Sequence, residues 1–326
     1  MRVSFRVPVR WAAVLVVVLG VTLTAAGCAP AAPTATPDTH HVLVKPAAYP
    51  VFPTYSSVRV VADQTYEKVD GRHEVLDVCL PSGAGHVSRP AIVAVHGGHW
   101  AVGSKTQGEF RDVCEWLASA GYVVASVDYR LAPKYEYPDA INDVDHAVEW
   151  LRRSDVDRRF SVNPDKIGIL GASAGGNLAS LVGTEGVGRL TSGHRVAAVV
   201  DLSGPADLTS KGAEKPILVP AIEAYLGCPN LASCPQAREA SPIYHVNASD
   251  PPFFITNSTE ELIPLSQSAH FVAALRAAGI SVRFVEVKGN AHAVKVLDSS
   301  MRARIIDFFR DTLGNPRRPV ASVAGR

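Results

Sequence analysis

A mostly parallel α/β sheet with helices on both faces is the architecture this chain predicts, and three observations carry it. Short, continuously apolar runs recur at Ala91 to Val95, Val123 to Val127, Ile167 to Leu170, Val196 to Leu202, Phe253 to Thr256 and Val282 to Val287, as strands covered on both faces require. Helical stretches at roughly 106–120, 139–154, 174–184, 265–278 and 293–313 alternate with them, which calls for parallel crossovers. One apolar run enters a helix-like run through Gly171-Ala172-Ser173-Ala174-Gly175-Gly176, a strand-to-helix turn too tight for large side chains.

Taken in order, the first ten residues carry Arg2, Arg6 and Arg10, and an apolar run from Trp11 to Leu23 ends in Ala25-Ala26-Gly27-Cys28. This reads as an export signal over residues 1–28. Small residues directly before Cys28 have the form of a bacterial lipobox with Ala25 where Leu is usual, so Cys28 is expected to be lipidated and to hold the exported chain at the outer side of the cell membrane, with plain signal cleavage or an uncleaved anchor as the alternatives. Residues 29–50, rich in Pro, Ala and Thr, read as a tether. Ser57 to Ala62 and His73 to Leu80, joined by a turn at Asp70-Gly71, read as an antiparallel hairpin at a sheet edge. The longest break in the alternation, residues 205–245, holds one short helical run, Ile217 to Leu226, and reads as a small lid or side wall. The folded domain is expected over residues 51–315 and a flexible tail over residues 316–326.

Composition narrows the partners. The 32 basic and 31 acidic residues balance, so no basic patch argues for nucleic acid. Beyond Cys28, an exported chain with four further cysteines suggests disulfides. Cys228 and Cys234, close together in a polar loop, are the first pair expected; Cys79 and Cys114 form a second pair or stay as buried thiols. No CxxC spacing or His cluster accompanies them, so no metal is expected.

In an open parallel sheet, ligands lie beyond the carboxyl ends of the strands. Three polar segments stand at such ends beside the Ser173 turn. His96-Gly97-Gly98-His99-Trp100 follows the run ending at Val95, and its glycines let backbone N–H groups approach a developing oxyanion together with that of Ala174. Glu260 and Glu261 follow the Phe253 run, and His292 follows the last strand. A serine hydroxyl is a weak nucleophile, so an imidazole must take its proton and a carboxylate must orient the imidazole. Nucleophile, acid and base occur here in the order Ser, Glu, His.

With Asp128-Tyr129-Arg130-Leu131-Ala132-Pro133, these motifs resemble the α/β-hydrolase carboxylesterases of the hormone-sensitive-lipase and feruloyl-esterase-like group, over about residues 55–313. The resemblance implies the α/β-hydrolase fold with a small lid insertion, and a cofactor-free serine esterase acting on a small-molecule ester through an acyl-enzyme. It implies Ser173 as nucleophile, His292 as base and an oxyanion hole from the N–H groups of Gly98, His99 and Ala174. The chain departs from the family at His99, where a third Gly is usual, and at the acid, where the usual His-Gly-x-x-Asp is absent. Aligning back from Ile263-Pro264 makes Glu260 the acid, which is the expectation taken forward; aligning from Pro251-Pro252 makes it Glu261. The resemblance leaves Asp128 and Arg130 a structural role. The modest insertion suggests short acyl chains. An amide-cleaving hydrolase (a peptidase or arylformamidase) and a non-catalytic envelope-binding lipoprotein are the alternative readings.

Overall fold

The computed structural model describes residues 41–45, 50–83 and 87–316. The export signal, Cys28 and most of the tether reading therefore lie outside the described residues.

The described chain runs β1 (His41–Val44), β2 (Arg59–Val69), β3 (Arg72–Leu80), β4 (Arg89–Val95), α1 (Phe110–Ser119), β5 (Val123–Val127), α2 (Asp139–Leu151), α3 (Ser154–Phe160), β6 (Val162–Ala172) and α4 (Ala174–Thr184). It continues with β7 (Ala198–Leu202), α5 (Val219–Leu226), α6 (Gln236–Glu239), β8 (Phe253–Ser258), α7 (Leu265–Ala277), β9 (Val282–Val287) and α8 (Ser299–Leu313). The strands form one sheet in the order β1-β9-β8-β7-β6-β4-β5-β3-β2. Only the β2–β3 and β3–β5 pairs are antiparallel.

Alternation along the central strands explains why they read as unbroken apolar runs. Ala91, Val93 and Val95 of β4 join Val144, Leu178 and Phe271 on the α2, α4 and α7 face. Ile92 and Ala94 point the other way, into a second core with Leu117 of α1 and Phe309 of α8. Both faces are dry, so neither needs a polar alternation. The β2–β3 hairpin turns at Asp70 and Gly71, both at positive φ (49° and 77°), the conformation that matches a two-residue turn to the strand twist.

Several boundaries differ from expectation for local reasons. The tether reading of residues 29–50 is corrected at its end, because His41–Val44 adds a parallel edge strand to β9. Four residues are too short for a period to be read, and the strand is secured from outside: Lys288 N–H donates to Val44 O (2.9 Å), and His41 stacks on Phe284. Helix α1 starts at Phe110 rather than near 106, since Gly108 takes a left-handed φ of 55°. The stretch read as one helix over 139–154 ends at Leu151, and a separate α3 follows after Arg153 turns extended. The final helix starts at Ser299, where the Asp298 side chain accepts the Met301 N–H (2.7 Å) as an N-cap.

Disulfides join Cys79 of β3 to Cys114 of α1 and Cys228 to Cys234. The first closes a separation of 35 residues and the second one of six. On loop length alone they stabilise the fold by about 4 and about 2 kcal/mol.

Candidate active site

The strand β6 passes into α4 through Ser173, which sits at φ 56° and ψ −118°. Such a conformation costs a non-glycine residue about 1–3 kcal/mol and persists only where its surroundings hold it. Here the surroundings do so by close approach. A Cβ on Gly171 would lie 1.9 Å from Gly175 O, and one on Gly175 would lie 2.2 Å from Val95 O, so only glycine fits at either position. The Ser173 N–H donates to Leu202 O (2.8 Å), tying the turn to the neighbouring strand. The hydroxyl is thereby presented at the N-terminus of α4, where the helix dipole favours negative charge.

His292, in the loop after β9, places Nε2 2.9 Å from Ser173 Oγ. Its Nδ1 meets Oε2 of Glu261. Since a carboxylate only accepts, Nδ1 carries the proton and Nε2 is left as the acceptor for the serine hydroxyl. The expectation of Glu260 beside His292 is thus corrected to Glu261. After β8 the Thr259 N–H donates to Val287 O and the Glu260 N–H to Gly289 O (both 2.9 Å), which leaves the Glu260 side chain in solvent and turns the next one inward. The Glu261 carboxylate is buried, 3% exposed, with Oε1 accepting from the Ser258 N–H and the Ser203 hydroxyl (2.7 Å each). Ser203 and Ser258 went unread in the sequence, although Ser203 stands directly after the β7 apolar run, at the same strand edge as the other site residues.

The loop from His96 to Gly103 faces Ser173. Gly98 takes φ 120° and its carbonyl accepts from the N–H groups of Ala101 and Val102 (3.0 Å each), a curl that any Cβ on Gly98 would block at 1.9 Å from Val102 O. The N–H groups of Gly98, His99 and Ala174 have no acceptor among the described residues. Below them the buried His96 ring stacks on Tyr129 and its Nδ1–H donates to Gly97 O (2.7 Å). Burial pushes the His96 pKa down, so it stays a neutral prop. Asp128 accepts the Lys105 N–H (2.6 Å), Arg130 makes a buried bidentate pair with Asp143, and the Ala132 N–H donates to Trp100 O (2.9 Å). These contacts fasten the 128–132 segment beneath the glycine loop.

Two spaces flank Ser173. On one side an open cleft of about 270 Å³ is lined by His99, Ser104, Gln107, Val294 and Lys295. On the other, Trp100, Pro205, Leu218, Ala221, Ile222 and Ile263 close to about 10 Å³ of free space. Much of this second wall comes from the 205–245 segment. It is held by Tyr225 stacked on Trp100 at 4.5 Å and by the Asn177 side-chain amide, which donates to Pro205 O and Ala240 O (3.0 Å each).

Fold and site together define an α/β-hydrolase. The BD-FAE family profile matches residues 76–275, more than half of the chain, and the protein belongs to that family. Among curated proteins it is similar to "Probable carboxylic ester hydrolase LipM" of Mycobacterium tuberculosis, with 32% identity over 66% of this chain and 51% of that one. It is likewise similar to "Esterase LipC" of the same organism, 32% identical over 71% of this chain and 59% of that one. The chain therefore spans little more than half the length of these relatives. Among solved structures it is similar to the butyrate-bound Est2 esterase of Thermogutta terrifontis, with TM-score 0.64, 26% identity, and coverage of 80% of this chain and 96% of that one.

Proposed function

We propose that the protein is a serine carboxylesterase in which Ser173 attacks the ester carbonyl, His292 takes and returns the proton, and Glu261 orients and charge-balances the imidazole. The observation that carries this reading is the unbroken line from Ser173 Oγ through His292 to the buried Glu261 carboxylate. The N–H groups of Gly98, His99 and Ala174 would receive the negative charge that develops on the carbonyl oxygen. Collapse of that tetrahedral state expels the alcohol, which takes its proton from His292, and water releases the acyl group by the same steps. The named ester-hydrolase relatives support this chemistry.

The acyl group is assigned to the narrow side and the alcohol to the open cleft. Leu218, Ala221 and Ile222 leave space on the scale of one water molecule, so each added methylene must displace packed side chains. Overpacking of that kind costs about 1–3 kcal/mol, or roughly 5- to 150-fold in rate. Purified protein lacking residues 1–28 is expected to cleave p-nitrophenyl acetate to butyrate with kcat/KM at least about tenfold above that for the octanoate. A preference for octanoate or palmitate would remove the short-acyl assignment, and failure to cleave any ester would remove the esterase reading.

We further propose that the chain is exported and lipid-anchored through Cys28, a reading that rests on the sequence of residues 1–28. Mass spectrometry of membrane-extracted protein should find an acylated N-terminal Cys28. The Cys28→Ser variant should leave the membrane fraction; if it stays there at the parent level, the anchor is elsewhere.

A further inference from the structure

We propose that Ser203 is a positioning residue of this site, holding the acid loop and the histidine loop in one geometry. The inference rests on the reading of Ser173, His292 and Glu261 as a triad. Ser203 follows β7 at φ 59°, with none of its surface exposed. Its N–H donates to Thr256 O (2.9 Å), and Asp201 Oδ1 accepts the Gly204 N–H (2.6 Å), so the turn is fixed on both sides. The backbone at this φ favours glycine, yet the chain carries a hydroxyl there, and both of its hydrogen-bonding capacities are used on the two loops.

The direction of each bond follows from its partners. The Ala293 N–H, directly after His292, can only donate, and it does so to Ser203 Oγ (3.1 Å). The Glu261 carboxylate can only accept, so the single hydroxyl proton is committed to its Oε1 (2.7 Å). With Ser203 and the Ser258 N–H both on Oε1, rotation of the carboxylate would break both bonds, and Oε2 is left to face His292. The same oxygen that orients the acid thus anchors the residue next to the base. A relay of this kind acts on rate through geometry and on the imidazole through the basicity of the carboxylate.

The test compares Ser203→Gly and Ser203→Ala in the otherwise intact protein, because glycine suits the left-handed backbone and alanine does not. Both variants and the parent would be followed by melting, by kcat and KM on p-nitrophenyl acetate from pH 5 to 9, and by the rate at which a fluorophosphonate probe labels Ser173. Loss of the hydroxyl is expected to lower kcat by roughly 10- to 100-fold in both variants, with KM within about threefold. The ionisation on the acid limb of kcat/KM should rise, because a carboxylate stripped of one donor holds the imidazolium more strongly. If Ser203→Gly keeps parental kcat and an unshifted pH profile, whether or not Ser203→Ala melts early, Ser203 serves the backbone only and the proposal falls while the triad stands. A parent protein that neither hydrolyses ester nor takes the probe would overturn the triad reading and this inference with it.

Discussion

Ser173→Ala should give a folded protein that hydrolyses p-nitrophenyl acetate at least about 10⁴-fold more slowly than the parent. In the proposed mechanism the hydroxyl oxygen forms the bond with the substrate carbonyl, and among the described residues His292 Nε2 has no other hydrogen-bond partner to replace it. On that mechanism what remains in the variant is binding and the N–H groups of Gly98, His99 and Ala174, which would stabilise charge but supply no nucleophile. The structural cost is small by comparison. The strained turn is set by the backbone contacts of Gly171, Gly175 and Leu202, all retained, and the lost hydrogen bond is worth about 1 kcal/mol. Melting curves and circular dichroism therefore separate a failed fold from a failed reaction. Near-normal turnover by the folded variant would take Ser173 out of the mechanism.

Glu261→Gln should lower kcat by roughly 10³- to 10⁴-fold, and Glu260→Gln should leave it within about twofold. The amide has nearly the carboxylate's shape, so packing is kept while the chemistry of one edge is inverted. Its oxygen would accept from Ser203 and the Ser258 N–H, as Oε1 does now, which points the NH2 at His292 Nδ1. Two donors then face each other unless the imidazole switches tautomer, and the switched ring directs an N–H at Ser173 Oγ where an acceptor is required. The charge that stabilises the imidazolium is lost as well. A fall of 10³ to 10⁴ corresponds to about 4–5.5 kcal/mol in the barrier. Glu260 is exposed and engages the fold through its backbone N–H, so its side-chain charge acts only through solvent. If Glu260→Gln were the crippled variant, the arrangement of this loop in the active enzyme would have to differ from the one described.

How far each part of the site was legible follows from the range of the interaction that fixes it. Ser173 and its glycines are a local matter: the turn from β6 to α4 excludes Cβ atoms at fixed offsets, and that exclusion is written in six consecutive residues. The same holds for His96-Gly97-Gly98 and for the order of nucleophile, acid and base along a parallel sheet. The central strands were legible because both faces are dry, which leaves unbroken apolar runs. The choice between Glu260 and Glu261 was not local. It depends on Val287 and Gly289 accepting the N–H groups of Thr259 and Glu260, and on Ser203 waiting at the end of another strand to receive the inward carboxylate. Adjacent residues of one type carry no pattern that tells which faces inward, so a shift of one residue was free in the sequence and fixed only by contacts between strands. The edge strand His41–Val44 was hidden for the same reason, since its order comes from the open side of β9 rather than from its own four residues. By itself the sequence determined the layered architecture, the strained serine and the glycine loop facing it; tertiary structure decided which carboxylate meets His292, because beside the local bond from the Ser258 N–H that choice needs hydrogen bonds to Ser203, Val287 and Gly289, far away in the chain.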